Sequence, residues 1–148
     1  MKYCVGIDLG GTNIAVGVVN ENYEIVARAQ AKTNCPRPAE DILADMAVTA
    51  RKAVEAAGLT MEDVEWVGVG TPGSVNQDTG DIIYSNNLDF HDVPMRRILG
   101  EALGVPVYVE NDANAAAYGE FVAGAAQGVR NALMITLGTG VGGGIIID

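Results

Sequence analysis

The sequence predicts a mixed α/β fold, in which helices flank a sheet of parallel and antiparallel strands. The first observation is a succession of three short apolar segments within residues 3–31, as in an antiparallel meander. The second is the alternation of helical and strand patterns over residues 40–123, which is typical of parallel strands joined by helices. The third is composition, since 49% of the 148 residues are hydrophobic, enough for a globular core.

The chain opens with a predicted hairpin. Residues 3–9 and 14–19 are apolar segments joined by the turn Gly10-Gly11-Thr12-Asn13. Residues 24–31 alternate between apolar and polar side chains, which predicts a third strand at a sheet edge. A helix is then predicted over residues 40–57, because apolar residues recur there at three- and four-residue spacing.

Strands and helices continue to alternate in the second half. Residues 64–70 predict a buried strand, and the following loop contains a small hairpin around Thr79-Gly80. A second helix is predicted over residues 92–103, with Asp92 as its N-cap and Gly104 as its C-terminal stop. The remaining elements are a strand at 105–110, an alanine-rich helix at 111–123 and a hairpin over 132–147.

Charge and cysteine content exclude several classes of protein. The sequence has 9 Lys+Arg against 19 Asp+Glu, a formal net charge of -10, which disfavours nucleic acid and anionic membranes as partners. No apolar run approaches the ~20 residues of a membrane span, and the N-terminal segment lacks a signal-peptide pattern. Cys4 and Cys35 have neither disulfide-framework nor zinc-site spacing. We therefore expect a reduced, cytoplasmic protein.

The two ends of the chain share one pattern. Residues 5–19 (VGIDLGGTNIAVGVV) and 133–147 (LMITLGTGVGGGIII) each contain an apolar strand, a Leu-Gly turn and a second apolar strand. They are either two unrelated glycine hairpins or the first hairpins of two duplicated lobes that hold phosphate between their turns. The second interpretation divides the chain into a first lobe, residues 1–131, and the opening hairpin of a second, truncated lobe, residues 132–148.

Two carboxylates have the surroundings needed for phosphate chemistry. Glycines at 10 and 11 allow backbone N–H groups to approach an anion, and Asp8 needs a compensating cation, such as Mg²⁺ bound to a nucleotide. Asp112 starts a predicted helix, where it could cap the helix or orient a hydroxyl group and take its proton. The residues leave both roles open, as well as a plain hairpin in which Asp8 bonds turn amides.

Asparagines follow the strand predicted at 64–70. Asn86 and Asn87 can donate and accept hydrogen bonds, which suits a polyhydroxylated ligand, although asparagine is also common in simple turns. His91, the single histidine of the sequence, is expected to be a solvated turn residue. These side chains alone do not separate sugar binding from a structural role.

Five segments taken in order resemble the front half of the ROK family (repressors, open reading frames, sugar kinases), most of all its bacterial glucokinases. They are VGIDLGGTNIAVGVV, VGVGTPGSV, NNLDF, VPVYVENDANAAAYGE and LMITLGTGVGGGIII. The resemblance covers essentially the whole chain and implies the actin and sugar-kinase superfamily, whose two lobes each carry a ribonuclease-H-like sheet. The implied reaction is ATP + hexose → hexose 6-phosphate + ADP. Glucose is the expected hexose, with N-acetylmannosamine, fructose and allose open.

The resemblance also implies roles for individual residues. The first phosphate-binding turn comprises Asp8, Gly10, Gly11, Thr12 and Asn13, and the second comprises Gly138, Thr139 and Gly140. The sugar contacts are Gly73, Asn87, Asn111 and Asp112. Asp112 corresponds to the base that activates the sugar 6-hydroxyl, and Asp8 to the residue near Mg²⁺, which it would bind through water.

Other family features are not found in these 148 residues. The Glu-x-x-His sugar motif, the cysteine-rich zinc cluster and the adenine pocket would lie beyond residue 148, so we expect the chain by itself to be inactive. Asn13 stands where many members have a lysine. Repressors carry a DNA-binding domain before the first phosphate turn, which here begins within the first dozen residues, so a repressor is not expected. A non-catalytic sugar or nucleotide sensor and a homodimer formed through residues 133–147 remain alternatives.

Overall fold

A computed structural model describes residues 2–138 and 140–148 of the chain. The strands in these residues are β1 (Tyr3–Leu9), β2 (Asn13–Val19), β3 (Ile25–Lys32), β4 (Val64–Thr71), β5 (Ser74–Val75), β6 (Ile82–Ser85), β7 (Phe90–Val93), β8 (Val107–Asn111), β9 (Ala132–Leu137) and β10 (Val141–Ile146). The helices are α1 (Ala39–Ala56), α2 (Met95–Leu103) and α3 (Asp112–Ala123), with a short 3₁₀ turn at Met61–Asp63. None of these helices is long and apolar enough to cross a membrane.

The main sheet has five strands in the order β3-β2-β1-β4-β8. The first three form an antiparallel meander, while β4 runs parallel to both β1 and β8. The mixed sheet with flanking helices confirms the predicted fold class. The parallel strands bring the ends of β1, β4 and β8 to one edge of the sheet, as the helical connections between them require.

One face of the main sheet packs against α1 and α2 to form the core. Alternate residues of the central strands point to this face and are buried, as their period of two predicts. The apolar stripe of α1 covers them, with Ile42, Leu43 and Met46 fully buried. Each such side chain stabilises the fold by roughly 1.5–3 kcal/mol through the water-exposed surface that it loses.

The opposite face of the main sheet is open along its middle. Gly6 pairs with Gly17 on one side and Gly68 on the other, so three adjacent strands lack side chains at the same level. Trp66 lies beside this row, and its ring contacts that of Tyr108 edge-on at a centroid distance of 6.1 Å. The open face leads towards the ends of β1, β4 and β8.

Two smaller sheets accompany the main one. β5, β6 and β7 form an antiparallel sheet, and its β5–β6 turn confirms the hairpin predicted around Thr79-Gly80. β9 and β10 form a two-stranded ribbon that confirms the hairpin predicted at the end of the chain. One face of this ribbon contacts α3, where Gly144 lies directly against Ala113 and Ala117. The division into lobes at residues 131 and 132 stays a prediction.

The predicted N-cap of the second helix is wrong. Asp92 lies in β7, with a φ of 49°, and α2 begins only at Met95, after Pro94. Cross-strand pairing of β7 with β6 takes the backbone of this segment, and proline is well suited to a helix start because its φ is fixed and it has no N–H to satisfy. The predicted stop at Gly104 is confirmed, with a φ of 73°.

Candidate functional site

The two predicted carboxylates lie at the same edge of the main sheet. Asp8 is near the end of β1, opposite Gly70 of β4, which in turn pairs with Glu110 of β8. Asp112 follows β8 and is the first residue of α3. Both aspartates line one cavity of about 1280 Å³ over the open face of the sheet. The site therefore occupies the carboxyl ends of parallel strands, where open α/β sheets bind their ligands.

The negative charge of Asp112 acts on the neighbouring Asp8 carboxyl group. Neighbouring atoms displace part of the water around the Asp8 carboxyl group, and this desolvation raises its pKa above the usual value; the charge of Asp112 raises it further. Among the described residues, no Lys or Arg forms an ion pair with either aspartate. An arriving cation would therefore relieve a repulsion that the protein itself leaves uncompensated.

The two aspartates suit Mg²⁺ only if water and phosphate supply its other ligands. No three His, Cys, Asp or Glu side chains in the described part of the chain gather to hold a metal ion. Mg²⁺ commonly uses one or two carboxylates, with water and substrate phosphates as its other ligands. The site therefore suits an ion that arrives with a phosphorylated ligand.

The hydrogen bonds at the junction of β8 and α3 show which residue caps the helix. Asn111 is the N-cap: its Oδ1 accepts from the N–H of Ala113 at 3.0 Å and of Asn114 at 3.3 Å. Among the described donors, only the Ala113 N–H bonds Asp112, through Oδ1 at 2.8 Å. The Asp112 side chain is exposed to the cavity, and none of the described groups donates to its Oδ2. Capping thus falls mainly to Asn111, and the aspartate keeps an oxygen for a ligand.

Two predicted sugar contacts meet through Asn111. Its Nδ2 donates to the carbonyl oxygen of Gly73 at 3.0 Å. Gly73 has a φ of 102°, and a Cβ there would lie 2.2 Å from the carbonyl oxygen of Tyr84, so only glycine fits. The amide of Asn111 retains a second N–H for a ligand.

The first predicted phosphate-binding turn, Gly10 to Asn13, is short and open to solvent. The Gly10 N–H donates to the carbonyl oxygen of Asn13 at 2.9 Å, which closes the turn. No described group accepts from the N–H of Gly11 or Thr12, and both residues are exposed. Asn87, another predicted sugar contact, lies beside this turn, its carbonyl oxygen 3.6 Å from where a Cβ of Gly11 would be.

Lys32 supplies a positive charge at this turn and was missed by the sequence analysis. The register of β2 and β3 pairs Lys32 with Asn13, and its Nζ donates to the Asn13 Oδ1 at 2.9 Å. The Lys32 ammonium group therefore lies beside Asn13 although it belongs to the neighbouring strand. Lys32 directly follows the third predicted strand in the sequence. Its position beside Asn13 becomes clear only from the register of β2 and β3.

The structure describes two of the three residues of the second predicted phosphate turn. The Gly138 N–H donates to the carbonyl oxygen of Gly140 at 2.9 Å, and both glycines are exposed. Neither lines the cavity that Asp8 and Asp112 share, although Thr136 of the same ribbon does. Thr139 lies outside the described residues.

Glu110 is a further site residue that the sequence analysis missed. Its Oε1 accepts from the Gln77 Nε2 at 3.0 Å, from the Asn111 N–H at 2.7 Å and from the Asn114 Nδ2 at 3.2 Å. These bonds hold the end of β8, the first turn of α3 and the β5–β6 turn together. Glu110 thereby bonds the backbone of the residue before Asp112 and the side chain of Asn114 after it.

Comparison with known proteins gives a consistent result. Residues 4–148 match the model of the ROK family. A glucokinase from Streptomyces coelicolor is 43% identical over 147 residues, which are 99% of this chain and 44% of that protein. The crystal structure of a ROK family glucokinase from Streptomyces griseus in complex with glucose and AMPPNP is 42% identical, with a TM-score of 0.89 over 98% of this chain and 44% of that one. A putative xylose repressor from Caldicellulosiruptor sp. is 34% identical over 143 residues, 97% of this chain and 36% of that protein. This chain spans less than half the length of these relatives and belongs to the ROK family.

Proposed function

We propose that this chain supplies one wall of the active-site cleft of an ATP-dependent hexokinase that phosphorylates the 6-hydroxyl of glucose. The observation that carries the proposal is the Asp112 carboxylate, which faces a cavity beside Asp8 while Asn111 caps α3. A glucokinase relative with glucose and AMPPNP bound supports both substrates. The remainder of such an enzyme would come from sequence outside these 148 residues.

In this reaction Asp112 orients the sugar and receives a proton. The 6-hydroxyl oxygen attacks the γ-phosphorus, a new O–P bond forms, and the bond from the γ-phosphorus to the β–γ bridging oxygen breaks. The electron pair of that bond leaves with ADP, and the hydroxyl proton passes to the free oxygen of Asp112. Phosphoryl transfer depends mainly on alignment, so an ionised carboxylate that holds the hydroxyl in line suffices.

The phosphates would bind to the first turn. The free N–H groups of Gly11 and Thr12 can donate to phosphate oxygens, and the Lys32 ammonium group adds a positive charge next to Asn13. Asp8 would hold Mg²⁺ through water, and the ion would neutralise charge on the phosphates. We assign the second phosphate contact to the turn Gly138-Thr139-Gly140.

The sugar would bind beside Asp112. Asn87 presents an exposed side chain next to the first phosphate turn, and Asn111 has one N–H left over from its bond to Gly73. Both can bond hydroxyl groups of a hexose. Glucose is our choice among hexoses on the strength of the glucokinase relatives, ahead of N-acetylmannosamine, fructose and allose.

The test is Asp112→Asn in a full-length polypeptide that contains this chain. The amide preserves size and cannot accept the proton, so kcat in a coupled ADP-release assay should fall by about 10²–10⁴-fold. The equilibrium constant for glucose binding should change by only a few fold. Asp41→Asn, an exposed change in the first turn of α1, is the matched control and should leave kcat unchanged. A near-normal kcat in D112N would remove Asp112 from the mechanism.

A non-catalytic sugar sensor is the second candidate. The observation in its favour is the similarity to a putative xylose repressor over nearly the whole chain. A sensor would bind hexose and release no ADP, whereas a kinase would bind hexose and release ADP. Calorimetric glucose binding combined with the ADP-release assay on the same full-length protein separates the two.

The outer face of the β9–β10 ribbon is apolar and exposed. Leu133, Ile135 and Leu137 point away from α3 and are more than half exposed. We propose that the ribbon opens a second lobe whose further strands cover this face, and that a homodimer is the alternative. Light scattering on the 148-residue chain tests the dimer, which a strictly monomeric result would exclude.

A further inference from the structure

Thr33 lies directly beneath the first phosphate turn. It follows β3 and is fully buried. Its hydroxyl donates to the carbonyl oxygen of Gly10 at 2.7 Å, and its N–H donates to the carbonyl oxygen of Thr12 at 3.0 Å. The residue that follows the neighbouring strand β3 therefore bonds two of the carbonyl groups of this turn.

These bonds determine where the N–H groups of the turn can point. In a trans peptide the C=O and the N–H of the next residue point in opposite directions. With the Gly10 carbonyl held inward by the Thr33 hydroxyl, the Gly11 N–H faces outward, in agreement with its lack of an acceptor. Without the hydroxyl, the peptide plane could rotate and turn this donor away from an approaching anion.

Thr33 is itself linked to α1 through Arg37. The Arg37 Nε donates to the Thr33 carbonyl oxygen at 2.8 Å, and the Arg37 guanidinium pairs with Asp45 on α1. The same segment touches the predicted sugar loop, where the Cys35 thiol lies 3.5 Å from the carbonyl oxygen of Asn87. The turn is thus fixed to α1 through a short series of bonds rather than by the hairpin alone.

We propose that Thr33 is a positioning residue for nucleotide phosphate: its hydroxyl fixes the Gly10 carbonyl inward so that the Gly11 N–H faces the phosphate. Thr33 does not touch the ligand. The proposal rests on the proposed kinase function, since it assigns the first turn to ATP. It goes beyond that function by placing part of the affinity for ATP in a side chain outside the cavity.

The chain offers a matched control for a merely structural role. Thr49 is also buried, and its hydroxyl donates to a backbone carbonyl, that of Asp45, at 2.6 Å within α1. At either position, Thr→Val nearly keeps the shape of the side chain and removes a hydroxyl that donates to a backbone carbonyl. Loss of a buried hydrogen bond lowers stability in both variants, whereas only Thr33 bonds the phosphate turn.

The experiment compares T33V, T33S and T49V in a full-length polypeptide that contains this chain. T33V should raise the KM for ATP by about 10–150-fold, a range typical for loss of one hydrogen bond to a charged group, and should leave the KM for glucose within twofold. T33S keeps the hydroxyl and should restore the KM for ATP. T49V should leave it unchanged.

A direct binding measurement separates this proposal from the kinase assignment. The Kd of the magnesium complex of AMPPNP, measured by calorimetry, should rise in T33V by the same factor even if the protein releases no ADP. Binding without turnover would defeat the kinase proposal and leave Thr33 testable. An unchanged Kd in T33V, or equal effects of T33V and T49V, would overturn the role of Thr33. T33A provides the same measurement if T33V does not fold.

Discussion

The α3 helix and the β9–β10 ribbon approach each other closely at Gly144, and this packing can be tested by adding one methyl group. A Cβ on Gly144 would lie 2.4 Å from the Cβ of Ala117 and 2.7 Å from the carbonyl oxygen of Ala113. Carbon atoms in contact are about 3.5–4.0 Å apart, so Gly144→Ala must move the ribbon from α3 by roughly 1 Å. Overpacking of this kind costs about 1–3 kcal/mol.

Amide hydrogen exchange on the 148-residue chain measures the loss of local stability in the β9–β10 ribbon. The backbone amides of β9 and β10 should exchange about 5–150-fold faster in G144A, because 1.4 kcal/mol corresponds to a factor of ten in an opening equilibrium. Gly143→Ala is the control on the same strand, since a Cβ there meets its nearest neighbour, the Met134 carbonyl oxygen, at 3.7 Å. Equal exchange in the two variants would refute the packing of α3 on the ribbon.

Two further predictions concern charge at the site. Because the folded-state pKa of Asp8 is raised, its ionisation opposes folding; this cost is absent below pH ~4 and complete above the folded-state pKa. Asp8→Asn should therefore raise the free energy of unfolding at pH 7, with a gain that disappears near pH 4 in urea titrations, and no gain at pH 7 would contradict the desolvation of Asp8. Lys32→Met should raise the KM for ATP by about 2–5-fold, as expected for an exposed ion pair, without changing the KM for glucose. Lys52→Met on α1 is its control, and identical KM values for the two variants would remove Lys32 from the proposed phosphate site.

Elements that pack a regular apolar face onto the core were predictable from the sequence. The first helix was expected at 40–57 and forms at Ala39–Ala56, because its three- and four-residue spacing places one stripe on the sheet. The hairpins at both ends follow from apolar segments flanking glycine turns. Asp8 and Asp112 were singled out by a neighbouring glycine turn and a predicted helix start, and they line one cavity because the parallel strands end at one edge of the sheet.

Features that depend on distant partners were not predictable. Residues 90–93 form a strand because β6 pairs with them, which overrides the local helix-start signal at Asp92. Asn111 and Asp112 are equally good caps by residue type, and only the backbone geometry assigns the role to Asn111. The bond from Gln77 to Glu110 joins positions 33 residues apart, and no local pattern encodes it.

The packing of α3 has a consequence for motion. Asp112 is at the first turn of this helix, and Ala113 and Ala117 lie against Gly144 of the ribbon. A 12-residue α-helix is a stiff rod about 18 Å long, so it tilts as a unit. A displacement of the ribbon that carries Gly138 and Gly140 would therefore move α3 and, with it, the Asp112 carboxylate.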